Sequence, residues 1–161
     1  MVAITQDRLK GVLRYDPETG LFTWLVATGR RMRVGSVAGT LNSGGYIRIA
    51  VDGKIYRAHR LAFLYMTGEW PQDQVDHRDT DRTNNRWLNL RPASNSQNSA
   101  NKRATSLSGY KGVYKNGVGY AAQITVAGKN IYLGQFHTPE QASEAYAAAA
   151  NDMHGEFARV A

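Results

Sequence analysis

Residues 74–92 read QVDHRDTDRTNNRWLNLRP, and the fold of the surrounding chain turns on this stretch. Gln74-Val75-Asp76-His77 is a short strand, and Arg78 to Arg86 is a polar loop. Leu88 to Arg91 forms a second short strand, which Pro92 stops. Ser94 then has Gln97 three positions on, a capping box that predicts a helix through about Lys102. The spacing therefore predicts a hairpin followed by a helix, carrying a carboxylate, an imidazole and several amides.

Working outward, Thr5-Gln6-Asp7 resembles a helix start, with Leu9, Val12 and Leu13 as a short apolar stripe. Asp16-Pro17-Glu18-Thr19-Gly20 is a turn by composition, and Leu21 to Leu25 reads as a strand. Tyr46 to Val51 and Lys54 to Arg57 flank Asp52-Gly53, a type I′ hairpin signal. Leu61, Leu64 and Tyr65 recur at helical spacing before Gly68 and Trp70-Pro71. The front is thus a β-rich platform leading into a helix. On the other side, Asn101 to Ser108 is a polar linker. Residues 108–157 read as a meander of three antiparallel strands covered by one Ala-rich helix that begins at Thr138-Pro139. The fold class is α+β, with one module over 1–104 (its core about 57–104) and a second over 108–161.

The chain has 161 residues, of which 20 are Lys or Arg and 13 Asp or Glu, for a net charge of +7. No Cys occurs, which excludes a disulfide scaffold, a thiolate nucleophile and every Cys-based zinc site. Nothing approaches ~18 consecutive apolar residues, and MVAITQDRLK lacks a secretory apolar core, so neither a membrane span nor export is expected. Residues 1–106 hold 16 Lys and Arg against 9 acids, the whole excess, whereas 107–161 hold 4 against 4. A basic surface of this kind suits a polyanion, or is simply a solvated face.

Hydrolysing a phosphodiester asks for a base to activate water and a cation for the charge on the leaving oxygen. One imidazole and a hard cation held by oxygen ligands would meet both needs without a thiol. Asn is a poor helix former, so Asn95, Asn98 and Asn101 at i, i+3 spacing either supply amide groups to such a site or line an indifferent exposed face.

The run from His59-Arg60-Leu61 through Asp76-His77, Asn85-Arg86, Asn89-Leu90 and Gln97-Asn98 resembles the HNH endonucleases of the phage and homing type, within the His-Me-finger (ββα-metal) nucleases. Tyr15-Asp16-Pro17 and Gly20-Leu21-Phe22-Thr23-Trp24 look like the leader of such phage proteins. Gly112-Val113, Tyr120-Ala121-Ala122, Leu133-Gly134-Gln135-Phe136, Thr138, Ala142 and Ala145-Tyr146 are similar to an AP2 DNA-binding domain. The resemblance implies His77 as the general base and Asp76 and Asn98 as ligands of one divalent metal ion, Mg²⁺ with Mn²⁺ the alternative. It also implies that Asn89 braces the loop and, through backbone hydrogen bonds, holds His77. The expected products are a 3′-hydroxyl and a 5′-phosphate. Arg78-Asp79-Thr80-Asp81 stands where the family commonly has an apolar residue, Asn, Gly and Asp, so the glycine of that turn is missing. Asn84 stands where Asp is frequent, and Trp87 where Pro or a small residue is.

Double-stranded DNA is the expected partner, without membrane or small-molecule cofactor, for a monomer or homodimer in the cytoplasm of a bacterial host if phage-encoded. The candidate DNA contacts are Arg30, Arg31, Arg33, Arg57, Arg60, Arg86, Lys102, Arg103, Lys111, Lys115, Tyr120 and Lys129. In the C-terminal sheet, strand alternation lets only about half of the aromatic and cationic side chains face DNA. His59, alone at a helix start, reads as structural, and Trp24, Trp70 and Trp87 as core. The competing function is a DNA-binding regulatory or architectural protein on a degenerate nuclease fold, supported by the altered Arg78–Asp81 loop. An RNA-directed nuclease is a third reading.

Overall fold

A computed structural model describes residues 3–27, 33–101 and 108–158. They fall into two compact units, Met1–Pro92 and Ala93–Ala161.

In the first unit Thr5 caps α1 (Gln6–Val12), its hydroxyl accepting from the Arg8 amide, and the helix buries Leu9 and Val12. The chain passes straight into β1 (Leu13–Tyr15), which pairs antiparallel with β2 (Phe22–Trp24), and β2 in turn with β3 (Val37–Ala38). Between β1 and β2 lies the Asp16–Gly20 turn, closed by the Gly20 amide on the Asp16 carbonyl. Gly20 sits at φ +75°, and a Cβ there would stand 2.5 Å from the Arg86 backbone nitrogen. Only glycine lets the leader turn lie this close to the later loop.

A second sheet joins β4 (Thr40–Leu41), β5 (Ile47–Val51) and β6 (Lys54–Arg57). Asp52 and Gly53 both have positive φ, +50° and +76°, as a type I′ hairpin demands. From β6 the chain enters α2 (Ala58–Thr67), capped by Gly68, whose inward face is Leu61, Ala62 and Leu64. Leu9, Leu13, Phe22, Ile49, Leu61 and Leu64 are all at most 2% exposed and share one core cluster. Each such side chain contributes about 1.5–3 kcal/mol of apolar burial, so sheets and helix are held as one body. Trp24 is buried there, Trp70 packs against the cluster, and half-buried Trp87 lies 5.6 Å from the Phe63 ring.

The unit ends with β7 (Gln74–His77) paired to β8 (Leu90–Ala93). The second strand starts later than its hydrophobic pattern predicts, because Trp87–Asn89 close into a 3₁₀ turn. It also runs through Pro92, since a two-stranded sheet has outer edges where a missing N–H breaks no ladder bond.

In the second unit Ser94 and Gln97 form the expected capping box on α3 (Asn95–Ala100), with bonds of 3.2 and 2.9 Å. The helix ends at Ala100 instead of near Lys102, and Lys102 lies outside the described residues. β9 (Val113–Asn116), β10 (Gly119–Val126) and β11 (Lys129–Phe136) make an antiparallel sheet in the order β11-β10-β9. α4 (Pro139–His154), capped by Thr138, covers one face and extends past the alanine run. Ala122, Ala142 and Ala150 are at most 1% exposed, and their small size lets helix and sheet approach closely around Val113, Ile124 and Tyr146. The mixed α and β class and the three-strand-plus-helix pattern of this part are thus present. No helix among the described residues is long and apolar enough to cross a membrane.

Candidate active site

β7 ends on Asp76 and His77, both buried. The Asp76 Oδ2 accepts from Arg91 Nε at 3.0 Å and Nη2 at 2.9 Å, and Arg91 is buried on β8. A carboxylate taken out of water keeps its charge when a guanidinium answers it, so the strand pairing places a compensated anion beside His77.

His77 Nε2 lies 3.2 Å from Asn85 Oδ1. The Asn85 Nδ2 donates to the Thr83 carbonyl at 3.0 Å, which settles the amide's orientation, since flipping it would set two acceptors face to face. An amide oxygen only accepts, so Nε2 carries the proton and the basic lone pair sits on Nδ1. Asn85 is itself held from the leader: its carbonyl accepts from the buried Tyr15 hydroxyl at 2.6 Å, and the Trp87 amide donates to the Pro17 carbonyl at 3.0 Å. Burial lowers the His77 pKa below that of a free imidazole, against smaller upward pulls from Asn85 and from the charges of Asp79, Asp76 and Asp81. At neutral pH the ring is an uncharged proton acceptor.

Asn89 braces the loop at four points. Its carbonyl accepts from the Arg78 amide and its Oδ1 from the Asp79 amide, while its Nδ2 donates to Asp79 Oδ1 and to the Asn84 carbonyl. These bonds tie Asn89 to both ends of the loop, and Asn85 Oδ1 meets the imidazole. Thr80, in the position of the missing glycine, adopts φ +66°. The left-handed turn is retained with a β-branched residue in it, and its amide donates to the His77 carbonyl at 2.9 Å.

Three rings meet beside this loop. His59 lies edge-on to His77 with centroids 5.0 Å apart, and Tyr46 is 5.3 Å from His59 and 6.1 Å from His77. His59 is buried, and its Nδ1 has no hydrogen-bond partner among the described residues. Its pKa is pushed down to about 3 by burial first, then by the charges of His77, Arg57 and Arg60.

Asn98 stands half-buried on α3, in the second unit. Of the candidate DNA contacts, Arg33 and Arg86 are exposed, and exposed Arg57 lies over Tyr46 with its Cζ 4.6 Å from the ring centroid. Arg60 is turned inward, donating to the Asp73 and Pro71 carbonyls at 2.8 and 3.0 Å, so it staples the chain that follows α2. Lys111 Nζ donates to the Ser99 carbonyl at 3.3 Å. Lys115 and Lys129 pair with Tyr120 and Val126, both of which pack into the core beneath α4. Lys115, Tyr120 and Lys129 thus share the helix-side register, and the open face carries Tyr114, Gln123, Thr125 and Tyr132. Arg30, Arg31, Lys102 and Arg103 lie outside the described residues.

Tyr46, Arg82, Asn85 and Arg91 had not been singled out for the site. Only Asn85 carried a signal, as part of the Asn85-Arg86 match; the others arrive through long-range packing.

Among the described residues no three His, Asp or Glu side chains gather as a metal cluster. Asp76 on β7 offers a carboxylate and Asn98 on α3 an amide oxygen, each the type of donor a hard cation takes.

Residues 56–100 match the model of the HNH endonuclease family. The chain is also 36% identical over 121 residues to an uncharacterized HNH endonuclease, L560, of Acanthamoeba polyphaga mimivirus; the match covers 73% of this chain and 63% of that protein. A solved structure described as DNA binding and cleavage by the HNH homing endonuclease I-HmuI matches at 24% identity, over 63% of this chain and 57% of that one, with a TM-score of 0.46. The chain thus spans less than two thirds of each. The family match falls on the segment that holds His59, Asp76, His77, Asn85, Asn89 and Asn98: residues 56–100 of this chain are similar to an HNH endonuclease domain.

Proposed function

We propose that the protein is a metal-dependent DNA endonuclease in which His77 Nδ1 takes the proton of the attacking water. The observation that carries this is the His77 imidazole itself: buried, uncharged at neutral pH, and held with its Nε2 proton on Asn85. Asn85 fixes the tautomer, and Tyr15 and Asn89 fix the loop around it. When bound, a divalent ion, Mg²⁺ or Mn²⁺, supplies charge for the leaving oxygen; Asp76 and Asn98 are the residues that would hold it. The turn at Thr80 speaks against a degenerate fold, because the conformation expected of glycine is kept. The C-terminal sheet and helix, in the manner of an AP2 domain, would hold double-stranded DNA. Its open face offers Tyr114, Gln123, Thr125 and Tyr132, and exposed cations such as Arg33, Arg57 and Arg86 would add phosphate contacts.

Supercoiled plasmid tests this directly. Wild-type protein nicks or linearises it in Mg²⁺ and not in EDTA, and leaves 5′-phosphate ends. The His77→Ala variant binds DNA about as well and loses at least roughly a hundredfold in cleavage rate. Cleavage by that variant at the wild-type rate would overturn the assignment, and binding without nicking in any divalent ion would favour the regulatory reading.

A further inference from the structure

We infer that Arg57, Arg82 and Tyr46 form a cradle for a single backbone phosphate next to the bond that His77 serves. The inference rests on the nuclease reading for its ligand but on separate residues for its geometry. Tyr46 follows the Gly44-Gly45 turn just before β5, and its ring is half-buried against His59. Two guanidinium groups lie over that one ring, Arg57 with its Cζ at 4.6 Å and Arg82 at 5.0 Å from the centroid. They come from distant segments. Arg57 closes β6, whereas Arg82 reaches out of the loop after β7 and is pinned there by a 2.8 Å bond from Nη1 to the Gly44 carbonyl.

Two like charges gathered on one tyrosine repel each other, and exposed cation–π contacts return only about 0.5–1 kcal/mol apiece. Among the described residues neither Arg57 nor Arg82 forms an ion pair. The acids of the adjoining loop are engaged elsewhere. Asp79 accepts from Asp81, Asn84 and Asn89, and Asp81 accepts from both the amide and the hydroxyl of Thr83. An arrangement of cations without a protein anion is completed by an anion from outside. Two planar forks of donors match the oxygens of a phosphodiester, and the Tyr46 hydroxyl adds a further donor. With the Tyr46 ring 6.1 Å from that of His77, a phosphate so held belongs to the strand being cut.

The salt dependence of DNA binding tests this, read with the full chain and a 30-base-pair duplex in EDTA so that no cleavage intervenes. Each phosphate neutralised contributes about 0.9 to the slope of log affinity against log salt. The double variant Arg57→Gln/Arg82→Gln lowers the slope by about 0.9 and weakens binding roughly three- to tenfold, because both cations serve one phosphate. Tyr46→Ala, which frees both guanidinium groups, reproduces most of that loss, and Tyr46→Phe much less of it. Arg14→Gln, an exposed cation on β1, leaves the slope unchanged. A slope change near 1.8 in the double variant would mean two separate phosphates and refute the cradle. So would no change, equal change in Arg14→Gln, or a wild-type protein that binds no DNA. Plasmid cleavage by the same wild-type preparation decides the nuclease reading independently, and thermal unfolding confirms that each variant is folded.

Discussion

Thr80 offers a quantitative check on the active-site loop. It holds φ +66°, where a β-branched side chain crowds the neighbouring carbonyl. For an L-residue this region costs about 1–2 kcal/mol relative to right-handed backbone. Thr80→Gly removes that cost but gives the unfolded chain more freedom, worth about 0.4–1 kcal/mol in the opposite direction. The difference is a net stabilisation of about 0.5–1 kcal/mol. The loop around it is fixed independently by Asn89, Asp79 and Asp81, so the turn does not change shape when the side chain leaves. Spread over a unit of the size of Met1–Pro92, such a gain raises the midpoint of thermal unfolding by roughly 2–8 °C. Circular dichroism melts, with urea titrations to show an unchanged m-value, read it out. Thr80→Ala separates backbone from side chain: it loses the hydroxyl but keeps a Cβ in the left-handed region, and gains nothing. If Thr80→Gly melts at or below wild type while Thr80→Ala matches wild type, the strain assigned to this turn is absent and the reasoning fails.

Two further outcomes follow from neighbouring groups. Tyr15→Phe keeps the ring contacts with Phe22 and Tyr65 but leaves the buried Asn85 carbonyl without its donor; it should cost about 1–2 kcal/mol in urea unfolding and lower kcat more than it raises KM. His59, at about 3 in the folded protein against 6.5 unfolded, binds its proton mainly in the unfolded chain between those values, so stability falls as pH drops through that window. Between pH 7 and pH 5 this removes about 2 kcal/mol, on top of a loss of the same sign from His77. His59→Leu should flatten the urea midpoint against pH by that amount, and an equally steep profile in the variant would show that His59 is not the group responsible.

Much of this architecture was legible because it is local. The Asp52-Gly53 hairpin, the Ser94–Gln97 capping box, the helix start at Thr5 and the strand bearing Asp76-His77 all follow from rules that span a few residues. What escaped depends on which distant segments pack together. Nothing near Tyr46 in the chain says that its ring meets His77, and Asn85 becomes the partner of the imidazole only because a 3₁₀ turn and the leader set its position. Arg60 reads as a DNA contact from its charge, and the structure adds what the charge does not show, that its guanidinium donates to two carbonyls. In the C-terminal sheet alternation was expected to divide the candidates, but which half faces outward depends on the pairing register and on the irregularity at Ala122/Gln123. The turn at Thr80 shows the converse case, in which an apparent sequence defect leaves the backbone conformation intact.

The leader's hold on the loop has a consequence for engineering. The Tyr15 hydroxyl, the Pro17 carbonyl and the bare Cα of Gly20 all lie against Asn85, Arg86 and Trp87, a whole domain's length ahead in the chain. The segment that bears the family signature is therefore not a portable cassette. A chimera that transplants residues 56–100 into another host would carry His77 and Asn85 but leave behind the leader bonds that hold Asn85 in place. The smallest transferable piece must include the β1–β2 hairpin, so that Gly20 travels with the Asn85-Arg86 backbone it lies against.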